Sequence, residues 1–88
     1  MDKQVIKIMD ELIVEADQRN IKRYCFGVGE KLYRECKAFD PKGFIMRHQN
    51  RDFVCSPVIG DYEIVVLELT GEQKDKIVFT GIGKHYDC

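Results

Sequence analysis

The side chains of this chain that could carry covalent or metal chemistry are few: Cys25, Cys36, Cys55, Cys88, His48, His85 and Ser56. Structural zinc sites are built from two close Cys or His pairs, because each pair fixes half of a tetrahedron. His85-Tyr86-Asp87-Cys88 forms one such pair, and the sequence offers no second. A thiol nucleophile needs a histidine or another positive group to hold the thiolate. His48 and His85 are available, but nothing in the local sequence marks any of the four cysteines as nucleophilic. Ser56 precedes Pro57 and lacks the flanking glycines of a nucleophile elbow. These residues predict a protein that is not an enzyme, holds no metal and needs no cofactor.

Two glycine motifs resemble phosphate loops only in part. Gly27-Val28-Gly29-Glu30-Lys31 lacks the third glycine of a dinucleotide loop. Gly81-Ile82-Gly83-Lys84-His85 lacks the opening glycine and the hydroxyl residue that would hold magnesium. Both read as turn glycines. Basic residues beside aromatics offer a different chemistry, the stacking of nucleobases: Arg23-Tyr24, Tyr33-Arg34 and Lys84-His85-Tyr86. The competing reading places the aromatics in the core beneath a helix. It is favoured for Phe26 and left open for Tyr24 and Tyr33, whose hydroxyls suit a wet edge.

These residues must be positioned by elements that the hydrophobic pattern reveals. Val5, Ile8, Met9, Leu12, Ile13 and Ala16 recur at helical spacing, with Lys7, Asp10, Glu11, Glu15 and Gln18 on the other side. The pattern predicts an amphipathic helix over 3–19, capped by Asp2 and ended at Asn20. Val14 lies opposite the apolar stripe, where it is either a stray surface valine or part of a subunit contact.

Beyond the helix, Tyr24, Phe26 and Val28 alternate as in a strand. The run 30–39 fits a helix face through Leu32, Cys36 and Phe39, or a strand if it forms a hairpin with 21–28. The turn at Gly29-Glu30, joining two runs of matching length, favours the strand. A turn at Asp40-Pro41-Lys42-Gly43 leads to a strand at 44–48, a turn at 49–51 and a strand-like run over 53–59. Pro57 marks that run as an edge or bulged strand. A turn at Gly60-Asp61, a strand over 62–69, a turn over 70–75 and a strand over 76–82 complete the chain. The fold class is α+β: an N-terminal amphipathic helix packed on a bent antiparallel sheet or small barrel of five to six strands.

Gly29-Glu30-Lys31-Leu32-Tyr33-Arg34-Glu35-Cys36-Lys37-Ala38-Phe39-Asp40 resembles the first signature of the Sm-like (Hfq) family in its turn glycine, Lys-Leu and terminal Phe-Asp. The helix leading directly into strands is similar, and Ile59-Gly60-Asp61 before an apolar strand resembles the second signature. The resemblance spans about residues 5–67. It implies a five-stranded barrel assembled into a ring that binds RNA. The sequence departs from the family at Arg34, where a bending glycine is usual, at 55–60, which lacks the Lys-His pair, and in the extension 71–88.

Composition sets the outer bounds. The 88 residues suit one domain, 1–88, with 44% apolar and 33% charged residues, as in globular proteins. The net charge of −1 argues against bulk nucleic-acid binding, which draws its affinity from phosphate contacts. The charged N-terminus is neither a signal peptide nor a membrane span, so the chain is read as cytoplasmic with reduced thiols. The functional expectation is a small binding or regulatory protein, an inhibitor in its sharpest form, acting stoichiometrically on a protein partner or on further copies of itself. Its contact residues are read as Val14, Arg23, Tyr24, Lys31, Tyr33 and Arg34. The alternative is an Sm-like ring that uses all of these except Val14 to bind RNA or a nucleotide.

Overall fold

A computed structural model describes residues 3–39, 47–49, 51–73 and 76–86. Helix α1 (Lys3–Gln18) is followed by strand β1 (Tyr24–Val28), helix α2 (Glu30–Phe39) and strands β2 (Arg47–His48), β3 (Arg51–Cys55), β4 (Glu63–Thr70) and β5 (Lys76–His85). The strands form one sheet in the order β2-β3-β1-β4-β5, in which β2 is a two-residue edge piece. The class is α+β, with the N-terminal helix packed on the sheet. The sheet is open, not a barrel, and it is mixed: β1 runs parallel to β3 and antiparallel to β4. The predicted Asp2 cap, the Asp40–Gly43 turn, the start of the 44–48 strand and Cys88 lie outside the described residues.

The stripe of α1 buries Val5, Met9, Leu12 and Ala16 at 1% exposure or less. Each large side chain among them contributes about 1.5–3 kcal/mol relative to exposure. Asn20 ends the helix in the left-handed region at φ 59°. Its N–H donates to the Asp17 carbonyl and that of Ile21 to Ala16, at 3.1 and 3.0 Å. This crossed pair satisfies carbonyls that the helix end would otherwise leave open, while Ile21 folds back onto the core.

Segment 30–39 is a helix, not the second arm of a hairpin. Both sides of β1 are occupied, by β3 and by β4, so no strand from 30–39 can pair there. A parallel partner for β1 also requires a crossover, which α2 begins. Leu32 and Cys36, one turn apart, enter the core cluster with Tyr24, Phe26, Val28, Phe53, Ile64, Val66 and Ile82. The start of α2 is built on backbone. The Tyr33 N–H donates to the Gly29 carbonyl at 2.9 Å, and the Leu32 N–H donates to the Asp61 carbonyl at 2.9 Å. Glu30 in the first turn complements the helix dipole.

Pro57 lies beyond the end of β3, in a turn where the Ile59 N–H donates to the Ser56 carbonyl at 3.3 Å. It therefore removes no donor from a sheet ladder, and the strand-like run of 53–59 stops at Cys55. The expected turn after His48 is present, with Gln49 at φ 49° between β2 and β3.

Candidate functional site

All five residues of β1 are buried, which requires cover on both faces of the sheet. Tyr24, Phe26 and Val28 face the helices. Cys25 and Gly27 alternate to the opposite face, where Leu67 lies beside Cys25 and Val65 beside Gly27. Ile59, from the turn after β3, reaches over the same place. A Cβ on Gly27 would stand 2.6 Å from Ile59 Cδ1 and 2.8 Å from Leu67 Cδ1. The outer face is therefore closed over β1 by three aliphatic side chains, with Cys25, Ile59 and Leu67 all buried.

The cover stops at β5. Phe79 pairs with Leu67 and Ile77 with Leu69 on this same outer face, yet Phe79 is 59% exposed and Ile77 50%. Val78, directed to the helix side, is also exposed. Next to Phe79 the ladder is irregular, because Val65 pairs with Gly83 and Leu67 with Phe79, leaving residues 80–82 opposite Val66 alone. Gly81 takes φ 81° there, and a Cβ on it would meet nothing within 4 Å. The Thr80 hydroxyl holds the bulge, donating to the Val66 carbonyl at 2.8 Å and accepting from the Ile82 N–H at 3.1 Å. A cleft of about 300 Å³ results, bounded by Phe79, Val65, Gly81 and Gly83, with Glu63 and His85 at its far end. Its volume is at the lower limit for a small-ligand pocket, and it suits a single apolar side chain better.

Charge at the rim is small and partly committed. Lys84 pairs with Glu11 of α1, an ion pair that ties β5 to the helix. The hydrogen bond and the partner charge hold the Glu11 carboxyl below its ordinary value; the hydrogen bond from Lys84 to Glu11 raises the lysine. Burial, and then the nearby Asp52, push the Cys25 thiol up, the opposite of what an attacking thiolate needs. No disulfide joins Cys25, Cys36 and Cys55, of which only Cys55 is exposed. Among the described residues no three His, Cys, Asp or Glu side chains gather to hold a metal ion. Among them, too, no helix is long and apolar enough to cross a membrane.

The residues singled out from the sequence are distributed, not gathered. Val14 is 54% exposed on α1. Arg23 is exposed just before β1, its carbonyl accepting from the Leu69 N–H at 2.9 Å. Tyr24 is buried at 5%, edge-on to Phe26 with ring centroids 6.1 Å apart. It is a core residue and offers no open stacking platform. The cation on its ring is Arg51 of β3, with Cζ 4.3 Å from the centroid; the neighbouring Arg23 does not occupy that place. Lys31 and Arg34 are exposed on α2, with Lys31 3.6 Å from Asp61, and Tyr33 is half-buried against the core. Arg23 and α2 lie at opposite ends of β1, a strand of five residues and so roughly 16 Å long.

The exposed row of β5 is absent from the contact residues expected from sequence, because the elements that decide which strand positions stay uncovered are distant along the chain. Ile77-Val78-Phe79, three apolar residues in succession, was the available signal. Comparison with protein-family models, with curated proteins and with solved structures gave no match for this chain.

Proposed function

We propose that this chain is a non-enzymatic binding protein acting stoichiometrically on a protein partner, and that the partner sits on the outer sheet face beside β5. One observation carries the reading: Phe79 and Ile77 stand half or more exposed on a face where Cys25, Ile59 and Leu67 are buried and Val65 and Leu69 partly buried. Exposed aromatic and aliphatic side chains around a small cleft, ringed by a few polar groups, match the anchor-and-rim layout of protein interfaces. The cleft at Gly81 and Gly83 fits one apolar anchor of the partner, and Glu63 and His85 form its polar rim. A protein that covers a partner's surface in this way regulates it by occlusion, as an inhibitor does.

The test is a photo-crosslinking phenylalanine analogue at position 79, followed by mass spectrometry of the adduct and by mixing with the purified partner. A 1:1 complex whose affinity falls by at least about 2 kcal/mol, some thirtyfold, in Phe79→Asp supports the proposal, provided the circular dichroism is unchanged. Adducts to RNA, with binding that weakens steeply as salt is added, would overturn it in favour of a nucleic-acid binder.

A further inference from the structure

Strand β5 is ten residues long and lies at the end of the sheet order, so among the described residues its second edge is unpaired. A long, apolar, unpaired edge is a template for another strand. We infer that the strand it takes is β5 of a second copy, with Val78 of the two copies meeting on a two-fold axis. This goes beyond the partner surface described above, since it uses the strand's edge and not its face.

Symmetry restricts the choice. Two antiparallel edge strands related by a two-fold axis keep the same face of the sheet on the same side, so Ile77 must meet a residue that is also on the outer face. Centring the axis on Val78 places Ile77 opposite the second copy's Phe79, twice. Lys76 falls opposite Thr80, and only the regular stretch 76–80 is used. Centring on Thr80 would set Lys76 against Lys84 and draw the bulge at 80–82 into the seam. Centring on Phe79 would leave Ile77 opposite Gly81. β5 carries Lys76, Lys84 and His85 and no carboxylate, so nothing on the strand would offset the repulsion of Lys76 and Lys84 in the Thr80 register. In the Val78 register all three exposed apolar residues of the edge, Ile77, Val78 and Phe79, gain a cross-strand neighbour. Pairing about a two-fold axis uses the same edge of both copies, so the assembly closes at two.

Five paired residues a side make a small interface, and interfaces below about 1,200 Å² are weak, so a micromolar dimer is expected. Sedimentation from about 5 to about 500 µM would show wild type passing from monomer to dimer, and Val78→Lys remaining monomeric throughout. Register is read by cysteine trapping in a Cys55→Ser, Cys88→Ser background. Residues facing each other across an antiparallel pair have Cα atoms about 4.5–5.5 Å apart, within disulfide range. Val78→Cys should therefore oxidise to a covalent dimer at least about tenfold faster than Ile77→Cys or Thr80→Cys. A monomer at the highest concentration, higher oligomers, or equal trapping rates at the three positions would overturn the inference. The partner surface would survive any of these outcomes, because Val78→Lys leaves Phe79 in place.

Discussion

A Cβ on Gly29 would stand 1.8 Å from the carbonyl oxygen of Gly60, and 2.6 Å from the carbonyl carbon of Asp61. Both are backbone atoms, and they belong to the loop that supplies the Asp61 carbonyl to the Leu32 N–H and the Glu63 carbonyl to the Gly29 N–H. The close approach of these two segments sets the start of α2 and the entry to β4 together. Gly29→Ala must push them apart and loosen both hydrogen bonds. A loss of about 3 kcal/mol or more is expected, at the upper end for an overpacked site. Urea denaturation followed by circular dichroism measures it, and a loss below about 1 kcal/mol would show that the loop yields freely.

The same substitution at Gly27 meets a different obstacle. Its nearest neighbours are the far ends of side chains, Ile59 Cδ1, Leu67 Cδ1 and Val65 Cγ2, which can rotate away. Gly27→Ala is therefore expected to destabilise by about 1–2 kcal/mol, clearly less than Gly29→Ala. The order of the two urea midpoints is the informative quantity. A reversed order would mean that the cover over β1 is stiffer than the loop at Gly60.

How far the sequence foretold this arrangement differs by element. The stripe Val5, Met9, Leu12 and Ala16 identified α1 because its apolar period is long enough to exclude a strand, and Asn20 marked its end. Segment 30–39 was ambiguous because Leu32 and Cys36 carry few apolar neighbours, and a turn glycine serves a helix start as readily as a hairpin. What decides it is non-local: β1 has no free side. The same limit hid the outer face, since nothing near Phe79 in sequence tells that Ile59 covers Gly27 and stops short of β5. Of the residues first singled out, Tyr24 was drawn into the core by its alternation with Phe26 and Val28, and its cation came from a strand twenty-seven positions on.

Tyr24 leads to a third expectation. Its hydroxyl is buried and finds no hydrogen-bond partner among the described residues. Burial, ahead of the opposing charge of Arg51, raises its pKa. Tyr24→Phe keeps the edge contact with Phe26 and the Arg51 contact with the ring face while removing the unsatisfied group. Its stability should equal or exceed that of wild type by up to about 1 kcal/mol. Tyr24→Ala, which empties the site, should cost about 3–5 kcal/mol. A Phe variant weaker by more than about 1.5 kcal/mol would reveal a hydrogen bond to that hydroxyl.

The pair between Glu11 and Lys84 gives the protein a defined pH window. The Glu11 carboxyl is held below its ordinary 4.5, chiefly by the hydrogen bond from Lys84. Its contribution is present above 4.5 and is lost as pH falls through the depressed value. Lys84 is raised above its ordinary 10.5 by the same bond, so its share is present below 10.5 and is lost as pH rises through the raised value. Together the two support the docking of α1 on β5 throughout the neutral range. Both side chains are more than a third exposed, so the effect is modest and screened by salt. Thermal unfolding between about pH 3 and pH 8 should show the midpoint of wild type falling more steeply in acid than that of Glu11→Gln, the two converging below the folded pKa of Glu11. Lys84→Met should remove the same difference, and Glu11→Gln added to it should remove nothing further. Parallel acid limbs for wild type and Glu11→Gln would mean that the ion pair does not hold the helix to the strand.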